Sequence, residues 1–358
     1  MGSRVFYTTR EAVQDAFDVR EAAYRSAQID EAIASASDDV DGWLKRHKHG
    51  LAPRTATRYF NWPGRNFSQS FRLWLDENEL VSVSSFTAGG VALAASDYFL
   101  EPVNSGPPYT YIEIDLSSSA SFSSGETSQH ALAIAGVWGI NDDRKPAGTL
   151  AEALDASETA VDVSDASLVG VGSLLVVDSE RMLVTGRSAL DTTVNLVSAM
   201  DELDSDRTVD VADGTAFHIG ETLVIDSERM RIVDITGNNL TVIRAYDGSV
   251  LADHLLGADI YALRTLTVER GALGSTAATH LIGATVTKWD VPALVADLTK
   301  ALAITRLEQE FSAYASRVYS DEAERDSSGT EVVAGRGLTD LRRSCYRRYA
   351  RKFRKAAV

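Results

Sequence analysis

One cysteine, Cys345, stands among 358 residues, so the chain cannot close a disulfide on itself. That fits assembly in a reducing cytoplasm. Apolar runs are short as well. Stretches such as Leu174 to Val177 have strand length, far from the roughly 18 residues of a membrane span, so no membrane partner is expected. The N-terminus lacks the basic-then-apolar pattern of a secretory leader. Catalytic signatures are missing too: there is no Gly-x-x-x-x-Gly-Lys loop, no Gly-x-Ser-x-Gly elbow and no His-Glu-x-x-His helix. The run Asp201-Glu-Leu-Asp-Ser-Asp206 imitates a calcium loop. Counted from Asp204, however, Val209 stands where glycine is needed and Thr215 where the closing glutamate is needed. It reads as a solvated acidic loop, and neither a metal nor another cofactor is expected. An enzyme is the class these gaps disfavour most.

Charge is abundant and unevenly placed. The formal net charge is −16. From Thr149 to Ala262 there are 21 acidic residues against 6 basic ones, whereas from Arg336 onward there are 9 basic residues against one acid, Asp340. An acidic body repels nucleic acid, while a basic tail suits docking on something acidic. The plainer reading is a pair of solvated faces.

Periodicity divides the chain into six parts. Residues 1–54 read as helical, with Thr8 capping a first helix and Glu11 reaching back to it, a second short helix opening at Asp18, and a third carrying Ile29, Ile33, Ala36, Val40 and Trp43 on one face. Residues 55–147 read as short strands separated by turns, with Trp62, Trp74, Tyr98 and Phe99 in strand patterns that supply core. Residues 148–289 are β-rich and repetitive. A helix over 290–319 is opened by Asp290 and Pro292 and striped by Leu294, Leu298, Ala301, Leu302 and Phe311. Residues 320–337 read as a flexible linker. Residues 338–358 form a basic amphipathic helix. Leu338, Leu341, Cys345, Tyr349 and Phe353 are its apolar stripe, and Arg342, Arg343, Arg347, Arg348, Arg351, Lys352, Arg354 and Lys355 are its cationic face. The expected class is α+β: N- and C-terminal helices packing into a base, with antiparallel β domains inserted between them.

Residues 148–289 repeat themselves. Ala160-Val-Asp-Val-Ser-Asp165 returns as Thr208-Val-Asp-Val-Ala-Asp213, and Gly172 to Met182 returns as Gly220 to Met230, at a constant offset of 48. Leu240-Thr-Val-Ile-Arg244 is echoed by Leu266-Thr-Val-Glu-Arg270, and Gly248, His254 and Gly257 by Gly274, His280 and Gly283, at an offset of 26. The first copy has Leu196 in the place of Arg244 and so reads as lacking this half. In each Ser-Glu-Arg-Met element the expectation is a strand with Glu180 and Arg181, or Glu228 and Arg229, facing out and Met182 or Met230 facing in. A partly exposed Glu228–Arg244 pair is also expected. His218, His254 and His280 with nearby Ser and Asp could suggest a catalytic triad, but the recurrence of His254 at His280 argues for packing, and catalysis is not expected there.

Tyr7-Thr-Thr-Arg-Glu-Ala-Val13, Tyr59-Phe-Asn-Trp-Pro63, Arg72-Leu-Trp-Leu-Asp76, Asn78-Glu-Leu80 and Ser105-Gly-Pro-Pro-Tyr-Thr110, in that order, resemble head-to-tail adaptor proteins of long-tailed phages of actinobacteria. Leu266 to Ser275 with His280 and Gly283-Ala284 resembles a β module of phage structural proteins. The resemblance spans roughly 6–140 and 219–319. It implies a virion protein of the neck, assembled in the host cytoplasm: a ring of twelve copies beneath the portal protein, holding a DNA conduit open without reading sequence and supporting a downstream stopper protein. It also implies a C-terminal segment that touches the portal. A second reading from another class is a tail or baseplate protein whose β modules bind host surface polysaccharide.

Overall fold

The computed structural model describes residues 5–17, 26–46, 50–63, 70–311 and 334–351. It is a mixed structure with mostly antiparallel sheets. Two compact units are present. One combines 1–40, 144–272 and 276–345, the other 41–143, 273–275 and 346–358.

In the second unit, β1 (Arg54–Phe60), β3 (Leu80–Ala88), β4 (Val91–Leu93) and β7 (Leu132–Trp138) form an antiparallel sheet in the order β1-β7-β3-β4, and β2 (Arg72–Trp74), β5 (Tyr98–Glu101) and β6 (Tyr111–Ile114) form another, β2-β6-β5. Strict alternation along β7 drives Leu132, Ile134, Gly136 and Trp138 to one buried face. Leu132, Ile134 and Trp138 pack with Phe86, Ile112, Leu73 and Leu75 into one core. Trp62 stacks edge-on against Phe122 at 4.8 Å and Tyr98 against Phe86 at 5.4 Å, while Phe99 is exposed.

The first unit holds the repeats. Its ten strands are β8 (Arg144–Thr149), β9 (Ala160–Asp162), β10 (Leu174–Val177), β11 (Glu180–Asn195), β12 (Thr208–Asp210), β13 (Thr222–Ile225), β14 (Glu228–Thr236), β15 (Asn239–Ile243), β16 (Asp259–Glu269) and β17 (Thr285–Trp289). Their order is β12-β15-β14-β13-β16-β11-β10-β17-β8, with β9 also on β16. The pairing corrects the reading of the first copy as incomplete. β10 pairs β11 and β13 pairs β14 in the same register, Leu175 to Met182 and Leu223 to Met230. β10 then pairs β17, Val177 opposite Val286, as β13 pairs β16, Ile225 opposite Ile260, again 26 residues apart. The missing half of the first module is therefore present, but it lies after the second module. Module B (196–263) is inserted into the β11–β16 hairpin of module A (148–195 with 264–289). The correspondence at offset 48 ends at Ser188, which faces Thr265 as Thr236 faces Asn239. In module B the chain turns back at Gly237-Asn238, whereas β11 runs on to Asn195 and pairs with β16 through register shifts. Leu196 breaks the count because it opens the next module. It is the counterpart of Leu150, and both donate to an alanine carbonyl, Ala258 or Ala284, at 2.9 Å.

The two cores match position by position. Leu175, Val177, Met182, Val184, Leu266 and Val268 in one are Leu223, Ile225, Met230, Ile232, Leu240 and Val242 in the other. Each such side chain is worth about 1.5–3 kcal/mol on burial.

Helices flank the modules in sequence. α1 (Arg10–Phe17) is capped by Thr9, whose Oγ1 accepts from the Ala12 N–H at 3.2 Å, rather than by Thr8. Glu11 does not reach back either; its carboxylate accepts from the Val171 N–H at 2.9 Å and faces Arg187 at 3.4 Å. Farther along α1, Gln14 donates to Asp247 at 2.7 Å and Asp15 pairs with Arg231 at 2.8 Å. α1 is thus a strap bonded to module A at one end and to module B at the other. Glycines admit it: a Cβ at Gly170 would stand 2.1 Å from the Glu11 carboxylate, and one at Gly172 would stand 2.4 Å from the Phe6 ring.

α2 (Ser26–Trp43) buries Ile29, Ile33, Ala36 and Val40, whereas Trp43 is exposed and stacks on Tyr346 at 5.8 Å. The expected second helix at Asp18 lies outside the described residues. α3 (Ala293–Phe311) buries Val295, Leu298, Thr299, Leu302 and Leu307. This stripe is set one residue later than the expected one at its start, because Pro292, not Asp290, supplies the first accepting carbonyl, and Asp290 pairs with Lys145 at 2.9 Å. α1 packs on α3, Arg306 pairs with Asp39, and Tyr7 meets Trp289 edge-on at 6.2 Å. α4 (Ala334–Tyr349) starts within the stretch expected to be linker.

If module B is an insertion, excising it should leave module A intact. Replacing 188–264 with Thr-Gly-Asn, the turn that module B uses at 236–238, is expected to keep one cooperative unfolding transition and a similar fraction of residues in strands. Circular dichroism with thermal melting checks this; a chain that no longer unfolds cooperatively would refute the insertion reading.

Candidate functional site

The polar residues shared by the repeats converge on one buried cluster in each module. In a strand, residues two apart share a face, so Glu180 and Met182, or Glu228 and Met230, must point the same way. Both pairs point inward and all four side chains are buried. The outward glutamate expected from the sequence is therefore corrected by the strand's own period, and the expected outward arginine is corrected at Arg181, which is buried as well.

In module B the Arg244 guanidinium donates from Nε and Nη2 to the two oxygens of Glu228, each at 2.8 Å. Its remaining N–H groups reach the carbonyls of Asp206 at 2.9 Å, Asp201 at 3.2 Å and Ala252 at 2.5 Å. Glu228 also accepts from the N–H groups of Ala245 at 2.8 Å and Ala252 at 3.0 Å. His254 places Nε2 3.0 Å from Glu228 and Nδ1 2.8 Å from Asp226. The imidazole is thus held by a carboxylate at each ring nitrogen. Arg244 and Glu228 are wholly buried, so the pair expected to be partly exposed is a closed one.

Module A reproduces every bond. Arg270 donates to Glu180 at 2.7 and 2.9 Å and to the carbonyls of Asp155, Glu158 and Ala278 at 2.6, 2.7 and 2.6 Å. Gly271 and Ala278 donate to Glu180 at 3.0 Å each, and His280 sits 2.9 Å from Glu180 and 2.8 Å from Asp178. Burial alone would raise both glutamate carboxyls; the arginine, the imidazole and the two backbone donors outweigh it and bring each down to about 2. No lone pair or N–H of these carboxylates and guanidiniums is left over for a substrate. What the arrangement can do is tie a strand end, a turn and two loops together.

A third ion pair was not foreseen. Arg264 donates to both oxygens of Glu221 at 2.7 Å, and Glu221 also accepts from the Ala166 N–H at 3.1 Å and the His218 N–H at 2.9 Å. The clamp joins module B to module A. It exists once, because Ser173 stands in the place of Glu221 in module A, and only a comparison of what the repeats do not share could have flagged it. Among the described residues Asp165, His218 and Glu221 are the group with the make-up of a metal site, their ligand atoms lying within 4.8 Å of one another. The Arg264 guanidinium already neutralises Glu221 and would repel a divalent ion. The Asp201–Asp206 loop is turned to another use: its carbonyls hold Arg244, the Asp206 carboxylate accepts from the Asp201 N–H at 2.8 Å, and Asp204 pairs with Arg207 at 2.7 Å.

The residues singled out at the C-terminus divide. Arg343, Arg347 and Arg348 of α4 are exposed, Leu338, Leu341 and Arg342 half-buried, and Cys345 buried, its thiol pushed up to about 11 by burial. Within the second unit, buried Arg46 donates to the Tyr349 carbonyl at 2.8 and 3.0 Å and to Glu79 at 2.9 Å, and the Arg351 N–H donates to Leu44 at 3.1 Å. The last turn of this helix is thereby fixed to its own chain. Lys352, Phe353, Arg354 and Lys355 lie outside the described residues.

Comparison of the chain with protein-family models, curated proteins and solved structures gave no match.

Two outcomes test the clusters. Arg244→Met, which leaves Glu228 buried without its counter-charge, is expected to destabilise by about 3–5 kcal/mol in urea unfolding. Arg270→Met should do the same in module A, and Glu228→Leu with Arg244→Met should recover part of the loss. The second outcome concerns pH. Both glutamates are depressed from 4.5 to about 2, so their contribution is fully present above 4.5 and is lost as pH falls from there toward 2. The urea midpoint should drop over that window, and drop less in Glu180→Gln with Glu228→Gln.

Proposed function

We propose that this chain is a structural component of a tailed phage particle: a head-to-tail adaptor whose copies close into a ring between the portal protein and the next neck protein, around the passing DNA. The observation that carries the non-enzymatic part is the state of its polar clusters. The glutamate, arginine and histidine that the two repeats share are buried, duplicated and bonded to one another. Duplicating such a cluster stiffens two modules; it does not create two reactive sites. The adaptor identity itself rests on the ordered sequence resemblance over 6–140 and 219–319.

Two further features favour this reading. The first is the contact of α1 with α3, together with Arg306 on Asp39 and Tyr7 on Trp289, which is what a helical base built from both parts of the chain would need. The second is the acidic surface of those modules, since a conduit rich in carboxylates lets a phosphate backbone pass without sticking. On this reading the exposed arginines of α4 dock on the portal protein or on a neighbouring subunit.

Mass spectrometry of purified particles should give a fixed ring copy number for the chain, and particle reconstruction should place it at the neck. Density at the tail tip would favour the polysaccharide-binding reading instead. Deleting 336–358 is expected to leave DNA-filled heads intact but to abolish their joining to tails. Normal yields of tailed particles would remove the docking role.

A further inference from the structure

The buried cluster of module B has a consequence at the surface. Arg244 gathers the carbonyls of Asp201, Asp206 and Ala252, and Met200 pairs with His254 backbone to backbone at 2.9 Å in both directions. The loop 201–206, the turn at Asp226 and the loop 250–256 are thus held together at one end of the module. Their outward side chains are of two kinds. Glu202, Asp226 and Asp253 are exposed carboxylates. Leu203, Leu255 and Leu256 are large apolar side chains, 55%, 75% and 68% exposed. Module A repeats the feature at the equivalent place, with Asp178 exposed and Leu281 and Ile282 81% and 66% exposed. Two adjacent large apolar residues left in water at the same register of both copies, on loops fixed from beneath, form a preorganised surface rather than a scatter of single exposed residues.

Apolar side chains bordered by carboxylates fit an amphipathic cationic helix. The chain contains one. α4 exposes Arg343, Arg347 and Arg348 together with Tyr346. Among the described residues Arg343 pairs with Asp340 of its own helix at 3.6 Å, and both surfaces stand exposed in the single chain. The charge balance is complementary: 21 acids to 6 bases over 149–262, and 9 bases to one acid from 336 onward. We propose that α4 of one copy docks on the acidic, leucine-tipped rim of module B in a second copy. This rests on the ring reading, which supplies the second copy, and goes beyond it by naming the two surfaces. Because donor and acceptor surfaces differ, the contact is head-to-tail, the kind that closes into rings. Module B is favoured over module A because Asp253 of its rim is Thr279 in module A.

The test uses the full chain in sedimentation velocity at low and high salt. Leu255→Ser with Leu256→Ser alters the rim, and Arg347→Glu with Arg348→Glu alters the helix. All four positions are exposed, and melting curves check that the fold is kept. Wild type is expected to self-associate, more weakly at high salt. Each double variant should weaken association by about tenfold or more. Adding Glu202→Arg and Asp253→Arg to the Arg347→Glu, Arg348→Glu chain should restore it. Association untouched by either double variant would overturn this interface while leaving the ring reading, which is judged from neck density in particles, in place. Loss of association from the α4 variant alone would also overturn it and assign α4 to another surface of the neighbour. A wild type monomeric at every concentration would overturn it, and if neck density is then absent the ring reading fails separately.

Discussion

Burying a carboxylate is unfavourable unless its lone pairs are met, and this constraint organises both modules. Glu180 and Glu228 each sit at the first position after a tight turn, where a strand would ordinarily place a solvated residue. Each is stabilised there by a bidentate guanidinium, an imidazole and two backbone donors. The arginine in turn needs carbonyls, and it takes them from loops that have no sheet partners of their own. One buried charge therefore specifies the conformation of three segments that apolar packing alone would leave loosely defined. The turn residue contributes as well: Asp178 and Asp226, both at a φ of 52°, bond the far side of the imidazole.

Because the cluster is self-contained, a module can be duplicated and inserted without redesign. What had to be added is the junction. The β11–β16 ribbon carries module B, Glu221 and Arg264 clamp it to the Ala166 turn, and α1 spans both modules through Glu11 on one side and Gln14 and Asp15 on the other. Glu221, Ala166 and Arg264 stand at repeat positions that Ser173, Gly214 and Asn238 occupy in the other copy. They are the places where the two copies differ.

The sequence made the β character, the repeat and the residues of the clusters legible, because periodicity and constant offsets survive in a single chain. It misled where local pattern was read without its geometry. Polarity alone puts Glu180 and Met182 on opposite faces, although residues two apart in a strand share one. Leu196 seemed to end an incomplete copy, whereas the two offsets of 48 and 26 together encode an insertion. Thr8 and Asp290 have the right chemistry for caps, but tertiary partners at Val171, Arg187 and Lys145 fixed the chain one or two residues away. The Glu221–Arg264 clamp shows in the sequence only as a charge where the other copy has Ser173, since a charged pair 43 residues apart otherwise looks like any other.

Insertion also explains why module A can form despite its topology. In module B, Glu228 and Arg244 are 16 residues apart, and a short hairpin joins them. In module A, Glu180 and Arg270 are 90 residues apart, a separation whose closure is entropically unfavourable for a flexible chain. Module B removes most of that cost when it folds. Its Leu196 and Ala258 are hydrogen-bonded at 2.9 Å, so the chain entering it and the chain leaving it are held side by side. From there β11 and β16 need only continue their pairing, Asn195 to Asp259 and onward to Leu183 opposite Glu269, to bring Arg270 to Glu180. The inserted module thus acts on its host as a large, folded hairpin turn, which is why a three-residue turn is its topological equivalent and why the host's polar cluster can be assembled from segments so distant in sequence.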